Sequence, residues 1–198
     1  ITNDLLNSSE VSNQILGQSA LVYFYTVQKE NIYQEVSLKA LKKAEELYLK
    51  DKTDRNKAYL DFGYMLYYQK TKKHDKFVEY FNKSIKLLKQ EKDENFLITI
   101  IHFSKIEYIE AHFTEKFNKQ DLHDALNYAI QSKNIWTQVL AYNNLGNFDF
   151  QQANLEAQSF QKLVNSAADY FKKSYDLIPQ IKYKPAQTDA YVYYYMNM

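Results

Sequence analysis

Glycine is scarce in this chain, and its scarcity constrains the fold more than any other feature. There are 3 glycines and 2 prolines in 198 residues. β-Rich domains use many glycines in their turns, whereas long helices joined by short polar loops need few. Apolar residues recur at helical spacing through nearly the whole chain, as in the run from Val11 to Val27. The sequence therefore predicts an all-α fold.

Polar segments divide the apolar runs into separate helices. Asp and Thr in these segments are good N-cap residues. Short connections between long helices make neighbouring helices antiparallel, so the chain is expected to form stacked helical hairpins. The predicted helices span residues 9–28, 31–50, 53–70, 74–90, 93–117, 121–136, 138–152, 154–177 and 186–198.

Each glycine lies inside the first helix of a predicted pair, directly after a large apolar residue. Gly17, Gly63 and Gly146 follow this rule, and Ser104 takes the equivalent place in a fourth pair, at intervals of 46, 41 and 42 residues. A glycine inside a helix costs roughly 1 kcal/mol relative to alanine. We therefore expect all four positions to be buried where two helices approach closely.

The second helix of each pair carries a matching pattern. Three residues at i, i+4 and i+7 share one helix face, and the last of them is always small. The four triples are Ser37-Leu41-Ala44, Phe77-Phe81-Ser84, Ala125-Ala129-Ser132 and Ala167-Phe171-Ser174.

These landmarks resemble the tetratricopeptide repeat (TPR) family, whose pattern has a large residue and Gly in helix A, A-x3-F in helix B and a closing Pro. The fourth pair matches best, with Leu145-Gly146, Ala167-Phe171-Ser174 and Pro179. The repeats here are longer than the usual ~34 residues, as in the divergent repeats of bacterial regulators. HEAT and armadillo repeats, with periods of about 40–47 residues, are the alternative.

The resemblance implies a single repeat domain over residues 1–198, folded as a right-handed superhelical stack of antiparallel helix pairs. The pairs would be 9–50, 53–90, 93–136 and 138–177, with a partial pair at 186–198. It also implies a protein- or peptide-binding module, the recognition or sensor region of a larger regulatory protein. The alternative is a structural scaffold or oligomerisation module that binds nothing in its groove.

In the family, helix A lines the inner, concave face. The resemblance places amides, tyrosines and a few charges there, which suits a groove that grips a peptide backbone and stacks its side chains. The asparagines near Gly146 are the sharpest feature, because each amide can donate and accept; a polar solvated face is their alternative. The implied binding residues are Asp61, Tyr64, Tyr67, Tyr68, His102, Lys105, Tyr108, Asn143, Asn144, Asn147 and Gln151.

Other kinds of function find little support. The formal net charge is +1 and Arg55 is the single arginine, so nucleic-acid binding is not expected. With no cysteine, no phosphate-binding glycine loop and only four dispersed histidines, we predict neither enzyme activity, nor a cofactor, nor a metal. No apolar run approaches the ~18 residues of a membrane span, so this segment should not insert. The compartment stays open.

The chain ends on an apolar helix with no second helix after it. Tyr191, Tyr193, Tyr194 and Tyr195 cluster there, and they favour helix A of a further repeat over a base-stacking surface. A bare terminal repeat exposes the face that its successor would cover. The sequence therefore predicts that the parent chain continues past Met198, or that this helix packs on a second copy in a homodimer.

Overall fold

A computed structural model describes residues 2–24, 30–112, 118–155 and 157–196, and every regular element in these ranges is helical. The all-α prediction is confirmed. Two 3-10 turns, Ala157–Ser159 and Ile178–Gln180, flank α9. The predicted helix ends over 25–28 and 113–117 lie outside the described residues. The ten α-helices of the described ranges are α1 Thr2–Leu6, α2 Val11–Phe24, α3 Glu30–Tyr48, α4 Asp54–Lys70, α5 His74–Leu88, α6 Asn95–His112, α7 Lys119–Gln131, α8 Ile135–Ala153, α9 Phe160–Leu177 and α10 Lys184–Met196.

The chain divides into two compact units, residues 1–92 and 93–198. In the first unit α2 packs on α3 and α4 on α5, and in the second α6 packs on α7 and α8 on α9. Packing of neighbouring helices in pairs is therefore confirmed. The sequence does not predict the short helix α1, which packs against α2.

Polar side chains cap helices at the breaks that the sequence predicts, but two predicted bounds need correction. The helix predicted over 154–177 begins at Phe160, after the 3-10 turn Ala157–Ser159. The Thr53 hydroxyl accepts a hydrogen bond from the backbone N–H of Asn56 and so caps α4. The predicted helix over 121–136 is too long, because α7 ends at Gln131. Lys133 adopts a left-handed conformation with φ of 55°, and the Asn134 side chain caps α8 by accepting from the Thr137 N–H.

The four small residues of the first helices, Gly17, Gly63, Ser104 and Gly146, are buried where helices approach closely, as predicted. A Cβ on Gly63 would be 2.7 Å from Ser19 Oγ and 2.9 Å from Leu41 Cδ2. Gly17 and Ser104 are buried as well. Real Cβ atoms do not approach other atoms as closely as one would at Gly63, so the meeting of α4 with α2 and α3 requires a residue without a side chain.

The small residue that closes each triple has an observed role in two pairs. The Ser84 hydroxyl donates a 3.0 Å hydrogen bond to the Ala58 carbonyl, which ties α5 to α4. The Ser174 hydroxyl donates a 3.2 Å bond to the Val139 carbonyl, which ties α9 to α8. Ser132 differs, because it follows the last residue of α7 and donates to Ala129 of the same helix.

The second unit also contains a buried carboxylate that joins three elements. Asp149, near the end of α8, is fully buried. It accepts from Lys119 Nζ of α7 at 2.5 Å and from Ser166 Oγ of α9 at 2.6 Å. A buried charge is tolerated only when it is paired and hydrogen-bonded, and both conditions hold here.

Candidate functional site: a tyrosine-rich surface

The most distinctive surface in the first unit is built from tyrosines. Tyr64, Tyr67 and Tyr68 share one face of α4, because residues three and four apart are neighbours on a helix. Tyr80 of α5 completes the group, which we call the tyrosine surface. All four side chains are partly exposed, whereas Tyr33 of α3, behind Tyr67, is fully buried.

The rings form one continuous cluster. Tyr80 lies with its ring centroid 5.1 Å from that of Tyr64 and 5.4 Å from that of Tyr68. Tyr67 meets Tyr68 edge-on at 5.4 Å and stacks on Tyr33 at 6.4 Å. Aromatic pairs in these geometries contribute about 0.5–1.5 kcal/mol beyond their buried area. Each exposed ring is therefore held in place by another ring.

Burial raises the pKa values of Tyr33, Tyr64, Tyr67 and Tyr80, which keeps these four phenol groups protonated at neutral pH. Burial raises the pKa of Tyr64, and the hydroxyl, which donates a 2.6 Å hydrogen bond to Glu45 Oε1, has its pKa raised further by that carboxylate. Burial also raises the pKa of Tyr33 to about 12 and the pKa values of Tyr67 and Tyr80. A protonated phenol both donates and accepts hydrogen bonds, so the surface combines apolar faces with polar tips.

Charged side chains border the aromatic rings. Lys83 Nζ lies 4.8 Å from the Tyr80 ring centroid, and Lys70 Nζ lies 5.8 Å from that of Tyr33. Glu79 accepts from Lys76 at 2.8 Å and from Lys83 at 2.5 Å, and these two hydrogen bonds lower its pKa to about 2. The α5 cations near the surface are thus partly neutralised by a carboxylate of the same helix.

Asp61 lies beneath this surface and is buried, so the predicted role as a binding residue needs correction. Its carboxylate pairs with the Lys57 ammonium one turn earlier on α4. Burial raises the pKa of Asp61, and the hydrogen bond from Lys57 acts against that rise. In this position the carboxylate is enclosed by the protein and pairs within its own helix.

The residues predicted from the third pair are mostly internal as well. His102 and Tyr108 of α6 are buried, and the His102 ring stacks on Tyr128 of α7 at 5.8 Å. Lys105 is partly buried and pairs with Asp121 at 2.8 Å. The contacts of His102 and Lys105 join α6 to α7, and the burial of His102 and Tyr108 means that they do not line an accessible groove.

The asparagines of α8 divide into two groups. The prediction that Asn143 is accessible is wrong, because its side chain is fully buried. It shares a helix face with Val139 and Gly146, which pack against α9 and α10. Neither amide atom of Asn143 has a hydrogen-bond partner among the described residues. Asn144 and Asn147 are partly exposed and Gln151 is exposed, so their predicted contact with a peptide stays a prediction.

Sequence reasoning therefore finds three of the four partly exposed tyrosines and misses Tyr80. The reason is that the prediction treats only helix A as a lining element, whereas Tyr80 lies on the second helix of its pair. The sequence does contain a signal for Tyr80. This residue comes directly before Phe81 and so borders the buried Phe77-Phe81-Ser84 face of α5, where a side chain is partly exposed.

No family model, curated protein or solved structure matches this chain. Within the described ranges, no three His, Cys, Asp or Glu residues are grouped so that they could hold a metal ion. Among the helices placed by the structure, none has the length and apolar character needed to cross a bilayer.

Proposed function

We propose that this chain is a helical repeat module that binds a peptide or protein segment on the tyrosine surface of α4 and α5. The observation that carries the proposal is the group of four partly exposed rings, Tyr64, Tyr67, Tyr68 and Tyr80, held rigid by one another. Tyrosine is enriched at protein interfaces, because it offers a large apolar area and a polar tip at low entropic cost.

The arrangement supports recognition of an extended or helical segment with apolar side chains. Ring faces can cover such side chains, and phenol hydroxyls can bond to a peptide backbone. Since Lys83 pairs with Glu79 at the border of the surface, a strongly charged partner gains little there. We infer that apolar contact, with hydrogen bonds at the rim, supplies the affinity.

The wider assignment belongs to the same proposal. A divergent TPR-like array would pack its helices through glycines at close contacts and through serine hydrogen bonds between paired helices, as those of Ser84 and Ser174 do here. We propose that the pairs form a right-handed superhelical stack and that the module is the recognition region of a larger regulatory protein, with no catalytic step of its own. The alternative is a scaffold or oligomerisation module, and the observation that supports it is an apolar surface that includes α10.

Selection from a random peptide library displayed on phage tests the proposal. We expect enriched peptides to bind the purified chain in isothermal titration calorimetry. Tyr68→Ala should weaken that binding about tenfold or more, since aromatic anchors dominate interface energies. Tyr183→Ala is the matched control, because Tyr183 is exposed and lies outside the tyrosine surface.

Equal binding by wild type and by Tyr68→Ala, with both proteins folded in thermal melts, would overturn the assignment of this surface. Failure to enrich any peptide would count against the function itself.

A further inference from the structure

The second unit has a pocket that the proposed function does not use. It has a volume of about 310 Å³ and lies between α8, α9 and α10. Aromatic rings form its walls and two alanines leave the space between them. Its lining consists of Phe150, Val164, Ala167, Ala168, Phe171, Lys172, Tyr175 and Tyr194.

The chemistry of the lining favours an apolar occupant. Tyr194 packs edge-on against Phe171 at 6.4 Å and lies 5.2 Å from Tyr175, ring centroid to ring centroid. Lys172 supplies a charge to the lining, and its ammonium pairs with Asp176 at 2.5 Å. The other lining residues present apolar or aromatic surface, so the pocket suits apolar side chains.

Exposed apolar side chains lie on α10, the helix that supplies Tyr194 to the pocket. Val192 and Tyr195 are three residues apart on one helix face and are 53% and 66% exposed. The Tyr195 ring lies 5.3 Å from that of Tyr194, which lines the pocket. The second unit thus combines an apolar cavity with exposed apolar side chains on an adjoining helix, and exposed apolar surface can mark an association site. A twofold interface needs this combination, because the same patch must fit itself.

The charges beside the pocket are arranged for the same symmetry. Lys172 and Asp176 are one turn apart on α9, with side chains 73% and 56% exposed. When two copies of α9 meet antiparallel about a twofold axis between these residues, each Lys172 faces the partner's Asp176. Opposite charges then meet twice, which favours one register over others.

We propose that a second copy of this chain covers the pocket in a twofold-symmetric dimer. Val192 and Tyr195 of each α10 enter the pocket of the other copy, and two Lys172–Asp176 pairs form between the copies. This inference is independent of the proposed peptide binding, because the tyrosine surface lies in the other unit.

Sedimentation velocity on the full chain, from micromolar to submillimolar concentration, tests the dimer. We expect the wild type to shift from monomer to dimer as the concentration rises, and Val192→Lys to remain monomeric. Tyr183→Lys is the control, because Tyr183 is 69% exposed and does not line the pocket, and it should dimerise like the wild type. A wild type that stays monomeric throughout overturns the proposal, including when the monomer binds a small apolar dye.

Charge reversal tests the register. Lys172→Asp and Asp176→Lys should each weaken self-association about tenfold, because like charges meet across the axis. An equimolar mixture of the two variants should recover a dimer. One variant chain then carries acidic side chains at both positions and the other carries lysines at both, so opposite charges again meet twice.

If each substitution acted only by removing the Lys172–Asp176 pair within its own helix, mixing the two variants would not restore the dimer. Homodimers as tight as the wild type in both single variants would contradict the antiparallel arrangement.

Discussion

Gly146 of α8 lies directly against the ring of Phe171 of α9. A Cβ at Gly146 would be 2.8 Å from Cε1 and 2.9 Å from Cδ1 and Cζ of that ring. The large residue of the helix B triple therefore fills the space that the helix A glycine leaves open. This complementarity explains why a glycine is tolerated inside a helix that would otherwise be more stable with alanine.

Gly146→Leu should destabilise the chain by about 1–3 kcal/mol, because the side chain would have to displace a buried ring. The double variant Gly146→Leu/Phe171→Ala should be more stable than the sum of the two single changes predicts. Removing the Phe171 ring makes room for the leucine, and the leucine fills the cavity that the ring leaves. Urea denaturation of all four proteins measures this coupling. Additive effects would show that the contact between the two residues does not set the packing.

The fold is largely predictable from the sequence, because its signals are local. Apolar spacing identifies helices, and small residues such as Gly63 and Ser84 mark contacts between neighbouring helices. The end of α7 is harder to predict, because the chain turns there at Lys133 in a conformation that glycine usually adopts.

The binding surface is predictable only in part, since burial depends on contacts made by helices further along the chain. The polarity of Asn143 predicts contact with a ligand, yet this residue lies on the α8 face that α9 and α10 cover. Tyr80 joins the tyrosine surface from α5, and no rule restricted to helix A can include it. Periodicity shows which residues share a helix face but not which neighbour covers that face.

Lys72 offers a test of backbone conformation, because it follows α4 with φ of 57°. The Lys73 N–H donates to the Tyr68 carbonyl across this left-handed turn, at 3.1 Å. A side chain in this conformation costs roughly 1–2 kcal/mol, and glycine avoids that cost at some loss of chain entropy. Lys72→Gly should therefore stabilise the chain by up to about 1 kcal/mol in urea denaturation.

The neighbouring residue is a matched control for that substitution. Lys73 is also exposed but has φ of −92° at the N-cap position of α5, so Lys73→Gly relieves no left-handed strain and should stabilise the chain less than Lys72→Gly does. The same effect from both substitutions would contradict the role given to the left-handed turn.

The buried amide of Asn143 should reduce stability, because no described residue bonds to it. Replacing an unsatisfied buried polar group with an apolar one of similar size removes a desolvation penalty of about 1–3 kcal/mol. We therefore expect Asn143→Leu to raise the free energy of unfolding, while Asn127→Leu on the exposed side of α7 should change it by less than about 0.5 kcal/mol. Destabilisation by Asn143→Leu would mean that the amide is bonded, for instance to a buried water.

The burial of Asp61 predicts a dependence of stability on pH. Its raised pKa means that the folded chain keeps this proton to higher pH than the unfolded chain. The contribution of Asp61 to the free energy of unfolding is therefore fully present below the pKa that Asp61 has in the unfolded chain. It is lost as the pH rises through the pKa that Asp61 has in the folded chain. Relative to the wild type, Asp61→Asn should gain stability as the pH rises from about 4, the usual pKa of an unfolded Asp, towards neutrality.

Thermal melts of both proteins across this range measure the difference. Lys57→Met removes the cation that lowers the pKa of Asp61, so the loss of stability with rising pH should be larger and should extend to higher pH than in the wild type. A difference between Asp61→Asn and wild type that shrinks towards pH 7 would contradict the assigned direction of the pKa shift.

NMR of the chain with 13C-labelled tyrosine rings tests most directly whether a partner binds on the tyrosine surface. On titration with a peptide selected for binding, we expect the ring signals of Tyr64, Tyr67, Tyr68 and Tyr80 to shift together with one dissociation constant. The signal of Tyr183, exposed elsewhere on the chain, should stay in place. Saturable peptide binding that leaves all four ring signals unmoved would contradict binding at this surface.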